Sequence, residues 1–152
     1  MERGLTEEEV TKKLLQWLVK TGWEIICFDF PQSGTGKQLH PNDRSSKTDG
    51  IIIPDIVALK NSIVLDFENK DRFVLSDFEK VQALKSTNNY SNDWNRLLKG
   101  KTYSHIYYGV GMPFSPNNYK KAEKVSLMVD FIVYLKEDNS FHITDNIGGL
   151  FR

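Results

Sequence analysis

The stretch IIIPDIVALKNSIVLDFENK, residues 51–70, decides how this chain is read. Two runs rich in β-branched and aliphatic residues, Ile51 to Leu59 and Ile63 to Lys70, flank the turn-forming Lys60-Asn61-Ser62. That pattern predicts a β-hairpin. With a two-residue loop at Asn61-Ser62, Lys60 pairs with Ile63 and Asp55 falls opposite Glu68. Residues directly opposite share a face, with Cβ atoms roughly 4.5–5.5 Å apart. Lys70, two residues beyond Glu68, is on the same face. Ile56, Ala58, Leu65 and Phe67 take the other face, which reads as a core face. A loop at Lys60-Asn61 would instead set Asp55 against Asp66 and keep the acids together. A three-residue loop would separate them unless a bulge intervened.

Working outward toward the N-terminus, Thr6 to Thr21 reads as a helix. Thr6-x-x-Glu9 is a capping box, Val10, Leu14, Trp17 and Leu18 recur at helical spacing, and Gly22 ends the element. Trp23 to Phe30 is aromatic and β-branched and stops at Pro31, which predicts a strand. Gln32 to Gly50 is a long polar loop, a length at which loops are usually functional or mobile. Its Gly34-Thr35-Gly36-Lys37 lacks the spacing of a phosphate loop, and no helix follows it.

Toward the C-terminus, Ser76-x-x-Glu79 predicts a second capping box opening a helix with Phe78, Val81 and Leu84. Asn88 to Asn92 breaks it, and a short helix is expected around Asp93 to Lys99. Thr102 to Val110 reads as a strand, and Ser115-Pro116 as the start of a short helix. Alternating apolar residues from Val125 to Leu135 predict a long strand, and Phe141 to Thr144 a last short one. The order α-β-β-β-α-β-α-β makes this an α/β chain with a mixed central sheet flanked by helices.

The 152 residues, 17.5 kDa, fit one domain spanning 1–152. Composition is 39% hydrophobic and 26% charged, which excludes wholesale disorder and fibrous classes. No apolar run approaches the roughly 18 residues of a membrane span, and no secretory apolar segment opens the chain, so a cytoplasmic location is expected. Cys27 is the only cysteine, excluding an internal disulfide and a cysteine-rich zinc site. Twenty basic residues balance twenty acidic ones. A non-specific nucleic-acid coat protein would be more basic.

Two carboxylates placed that close repel unless a cation bridges them, and hard oxygen donors suit magnesium, with manganese as a substitute. Asp55, Glu68, a backbone carbonyl (that of Asn69) and waters would make its shell. Lys70 would orient or deprotonate a water and offset phosphate charge. Those are the parts that metal-assisted phosphodiester hydrolysis needs. The plainer reading of the same letters is a solvent-facing hairpin with an ordinary Glu–Lys set. By composition about two acid-x-Lys matches arise by chance in such a chain, so placement carries the argument.

Pro54-Asp55, twelve intervening residues and Glu68-x-Lys70, on consecutive strands behind an N-terminal helix, resemble the PD-(D/E)XK nuclease superfamily. The resemblance runs from Thr6 to about Val110. It implies a restriction-endonuclease-like αβββαβ core, with Asp55 and Glu68 binding the divalent metal and Lys70 as the catalytic lysine. Many members add a glutamate from the first helix. Of Glu7, Glu8 and Glu9, Glu7 lies within the apolar stripe of the helical wheel, while Glu9 is taken by the capping box. Acids there also complement the helix dipole. Asp66 shares the active face, as a supporting residue or a solvated one. Gln82 lies one turn into the second helix, but Ser86 stands where some branches of the superfamily carry a tyrosine. His40, His105 and His142 lack metal-like spacing, and Trp17 and Trp23 read as core.

The resulting expectation is a metal-dependent DNA endonuclease of restriction type. Phosphate contacts would come from Lys37, Arg44 and Lys47 in the loop and from Arg96, Lys99 and Lys101. One site cuts one strand, so a homodimer or a partner subunit is expected for a double-strand break. The alternatives are a structure-selective nuclease such as a Holliday-junction resolvase, and a non-catalytic nucleic-acid-binding or assembly protein of the same fold.

Overall fold

A computed structural model describes residues 4–30, 36–42 and 51–152. The first helix, α1 (Glu7–Lys20), starts as expected: the Thr6 hydroxyl accepts from the Glu9 N–H, and the Glu9 carboxylate accepts from the Thr6 N–H. It lays Val10, Leu14 and Leu18 on the sheet. β1 (Glu24–Phe28) is shorter than its aromatic run and is interrupted by a bulge between Ile25 and Cys27.

β2 (Ile56–Lys60) and β3 (Ile63–Asn69) form the hairpin with the register that a two-residue loop requires: Lys60 pairs with Ile63 and Ile56 with Phe67. Asn61 and Ser62 both have positive φ, 50° and 67°, the conformation that matches the strand twist in such turns. The first run does not extend back to Ile51 as a strand. Pro54 interrupts it, and Ile52 instead makes an isolated bridge to Leu39.

α2 (Leu75–Lys85) begins two residues earlier than a Ser76 cap would place it, and the Ser76–Glu79 capping box does not form. Val74 is the N-cap and offers no side-chain acceptor, which leaves Ser76 inside the helix and exposed. α3 (Ser91–Leu97) follows, and β4 (His105–Pro113) lies three residues later than the expected Thr102–Val110. α4 (Pro116–Glu123) has the expected Ser115 cap, whose hydroxyl accepts from the Asn118 N–H at 3.0 Å.

The long strand expected over Val125–Leu135 is not one element. Ser126–Met128 is a 3₁₀ turn with Leu127 84% exposed, and β5 covers only Phe131–Leu135. All five β5 residues are buried, the pattern of a central strand covered on both faces. The apolar alternation upstream therefore belongs to a turn. β6 (Phe141–Asp145) ends the sheet.

The six strands run in sequential order β1-β2-β3-β4-β5-β6. The β3/β4 and β4/β5 pairs are parallel and the other three antiparallel. The described residues thus form an α/β fold with a six-stranded mixed open sheet and four α-helices. α1 covers one face over Ile56, Ala58, Leu65, Phe67, Phe131 and Val133. α2 and α4 cover Val110, Met112, Ile132 and Tyr134 on the other face, and α3 covers Val57 and Val64 there. No described helix is long and apolar enough to cross a membrane.

Candidate active site

Regular pairing of the hairpin ends at Ile56–Phe67, one step before the two acids. Beyond it the Asp55 N–H donates to the Phe67 carbonyl at 3.1 Å, and the Asp55 carbonyl accepts from Asp29 N–H at 2.9 Å. The Asn69 N–H then donates to Asp55 Oδ2 at 2.6 Å. A carboxylate oxygen has replaced a backbone carbonyl as acceptor, which anchors Asp55 against the end of β3. Of the neighbouring charges, Glu68 acts on Asp55 most strongly. Burial, then the Glu68 charge, pushes the Asp55 carboxyl up to about 8. Glu68 is also raised, by burial first and then through Asp77, against the opposing pull of Lys80.

Lys70 leaves β3 at the carboxyl end of the sheet's parallel section, where ligand crevices of open α/β sheets lie. Its N–H donates to the Gly111 carbonyl at 2.9 Å. Its Nζ stands 3.5 Å from Glu7 Oε1 on α1 and 3.7 Å from Asp77 Oδ1 on α2. Burial works against the charge on Lys70, but Asp77, Glu7 and Glu68 outweigh it and hold the ammonium above the ordinary lysine range. The arrangement favours a permanent cation that orients water and offsets negative charge, over one that removes a proton. Glu7 reaches this centre, whereas Glu8 pairs with Lys12 at 3.6 Å and Glu9 is the cap.

Asp77 is the residue that sequence reading missed. It is 4% exposed, and its Oδ2 has no hydrogen-bond partner. Burial raises its pKa despite Lys70 and Lys80. The available signal was an acid in the first turn of a helix that follows the Glu-x-Lys strand.

Asp66 is not the solvated residue one reading allowed. It is 6% exposed, its Oδ2 lacks a partner, and burial, then Glu68 and Asp55, raises it well above the carboxylate range. It lines a cavity of about 40 Å³ with Glu68, Lys80, Leu84 and Tyr108. That is room for a water. The acidic face of the hairpin is therefore roofed by α2 and is not the wet face that the plainer reading assumes.

The other candidate residues are scattered. Arg96 pairs with the buried Asp93 at 2.7 Å, and Lys101 pairs with Glu24. Both are engaged within the fold. Lys37 and Lys99 are exposed, and Arg44 and Lys47 lie outside the described residues. The described part of the Gln32–Gly50 loop is tied down. Leu39 bridges Ile52, the His40 N–H donates to Asp93 Oδ2 at 2.7 Å, and Asn42 bonds to Asn88 and Ser91. Gln82 is exposed, Trp23 is core, and Trp17 stacks on Phe141 and Phe151.

Among the described residues no three His, Cys, Asp or Glu side chains form a ready-made metal cluster. Asp55 and Glu68 nevertheless fit a hard divalent ion that keeps most of its waters. Both are carboxylates whose charge is disfavoured where they stand, and a cation would relieve that. No family model, curated protein or solved structure matches this chain.

Proposed function

We propose that the protein is a divalent-metal-dependent endodeoxyribonuclease of restriction type, built on a PD-(D/E)XK-like core. The observation that carries this reading is the convergence at the end of β3 of Asp55, Glu68 and Lys70, with Glu7 brought in from α1. The order α1-β1-β2-β3-α2-α3-β4 accommodates the αβββαβ core that the resemblance implies.

Asp55, Glu68 and the Asn69 carbonyl would hold magnesium or manganese, which supplies Lewis acidity and an activated water. The chain's own residues do the remaining work. The Asn69 N–H fixes the Asp55 carboxylate. Glu7 and Asp77 bracket the Lys70 ammonium, which faces the charge that develops on a phosphate under attack. DNA is the proposed substrate, and a second copy or a partner subunit is needed to cut both strands.

The test is supercoiled-plasmid cleavage with Mg²⁺ or Mn²⁺, with EDTA and Glu68→Ala as controls. Branched DNA run alongside separates restriction-type from junction-selective cleavage. Metal-dependent nicking that Glu68→Ala abolishes supports the proposal. Binding with no cleavage under any divalent ion favours the non-catalytic reading.

A further inference from the structure

Beside the carboxylate cleft lies a second cavity, of about 150 Å³, that the nuclease reading does not use. Its walls include four aromatic side chains, Tyr90, Trp94, Tyr103 and Tyr108, and the amides of Asn88 and Asn95. Leu84 and Tyr108 line both this cavity and the one that holds Asp66 and Glu68, so the two adjoin.

The chemistry of these walls is selective. Aromatic faces with a few convergent polar groups suit a planar, polar ring. The Tyr103 hydroxyl donates to Asn95 Oδ1 at 2.8 Å, which orients that amide. Among the described residues no hydrogen bond engages Asn95 Nδ2 or the Asn88 side chain, so both can serve a ligand edge. In the same wall the buried Trp94 Nε1 makes no well-formed hydrogen bond, the Tyr108 hydroxyl being its nearby acceptor. Size narrows the occupant further, since a cavity of about 150 Å³ admits a benzene-sized ring.

We propose that this cavity receives a single unstacked nucleobase, a pyrimidine by size, from the strand whose phosphate lies at Glu68 and Lys70. The proposal rests on the nuclease reading for the source of the base, while the base pocket itself rests on the walls described above. Aromatic side chains stack bases with little regard to sequence, and amides read their edges. The site therefore selects DNA in which a base can leave the stack: single-stranded, mismatched or distorted.

The experiment measures binding by full-length Glu68→Ala protein, so that no strand is cut. The probes are fluorescein-labelled oligothymidylate, oligodeoxyadenylate and an abasic strand of equal length, with thymidine 5′-monophosphate as the free-nucleotide arm. Oligothymidylate should bind about tenfold or more tighter than the abasic strand, which carries the same phosphates. Adding Asn88→Ala and Asn95→Ala, both at exposed positions, should shrink that difference, since only stacking remains, and leave abasic binding unchanged.

Equal binding of the thymidylate and abasic strands overturns the proposal, as does an adenylate preference or an unchanged double variant. Thymidine 5′-monophosphate binding as tightly as the strand overturns the strand as source. Wild-type plasmid cleavage is measured in parallel to separate the two readings. Cleavage without base-dependent binding defeats the pocket alone. Base-dependent binding in a protein that never cleaves defeats the nuclease reading and leaves the pocket standing.

Discussion

The Asn69 N–H donates to the Asp55 carboxylate at 2.6 Å, and this bond closes the β2–β3 hairpin where its backbone ladder stops. One residue of β3 thereby fixes an acid from the other strand beside Glu68, while the Asn69 side chain turns to the opposite face and donates to Thr11 on α1 at 3.1 Å. Asn69 thereby joins the candidate site to the first helix, alongside the Lys70–Glu7 ion pair.

Stability should fall as pH rises through the neutral range. A carboxyl whose folded pKa lies above its unfolded value contributes stability fully below the unfolded value and loses it as pH rises through the folded one. For Asp55 that window runs from about 4, its unfolded value, to about 8 in the fold. The upper limit of the loss is about 1.4 kcal/mol per pH unit across the window. Asp66 and Glu68 are shifted the same way. Thermal unfolding without divalent ions should give a lower Tm at pH 8.5 than at pH 5.5, and Asp55→Asn should flatten the trend. Magnesium should raise Tm more at the higher pH. A Tm that rises with pH in the absence of metal would contradict the burial argument.

Glu68→Ala and Lys70→Ala should fail for different reasons. Loss of Glu68 removes a proposed metal donor, so calorimetric metal affinity and plasmid nicking should fall together. Lys70 has only donors while protonated. Lys70→Ala should therefore keep or improve metal binding while cleavage drops about a hundredfold or more, the scale of one lost electrostatic stabiliser. DNA binding should persist in both variants, because phosphate contacts elsewhere supply much of the affinity. Full activity in Lys70→Ala would remove the lysine from the catalytic machinery.

Asp77→Asn keeps the shape of the side chain and removes its charge beside Lys70. Cleavage should fall about tenfold with metal affinity unchanged, because Glu7 still holds the ammonium from the other side. Asp77→Asn combined with Glu7→Gln should lose much more than the two single losses multiplied, since the lysine would then have neither carboxylate. Multiplicative losses would mean that the two acids act on separate things.

Much of this geometry was legible in residues 51–70. A tight Asn61-Ser62 turn fixes the register, and the period of two puts Ile56, Ala58, Leu65 and Phe67 on one face. What lay beyond the sequence was the cover over the other face. Val57, Val64 and Asp66 alternate as a half-exposed strand would, yet α2 and α3 roof them, so Asp66 is buried. A local pattern also misled at Val125–Leu135. There a turn happened to place apolar residues at every second position, and Leu127 faces solvent. Asp77 stayed hidden for a related reason: its partner Lys70 lies on a different element, and no spacing rule links a strand end to a helix start.

Gly111 offers a test of how tightly the site is tied to the core. It pairs with Asn69 across the parallel β3/β4 ladder. A Cβ built there would stand 2.5 Å from both Asn69 Oδ1 and Leu14 Cδ1. Neither neighbour can move freely. Leu14 is fully buried, and Asn69 is held at once by its backbone bond to Asp55 and its side-chain bond to Thr11. Gly111→Ala should therefore destabilise the protein by about 1–3 kcal/mol, the range for overpacking a filled core. Because Asn69 must shift to relieve the contact, the Asp55 carboxylate should shift with it, and metal affinity should weaken although no donor was changed. Leu14→Ala in the same chain opens space on one side only. It should recover part of the Gly111→Ala stability loss in a double-mutant cycle while metal affinity stays low. Chemical denaturation and metal titration of the four proteins decide the matter. Unchanged metal affinity in Gly111→Ala would show that Asn69 does not transmit packing strain to Asp55.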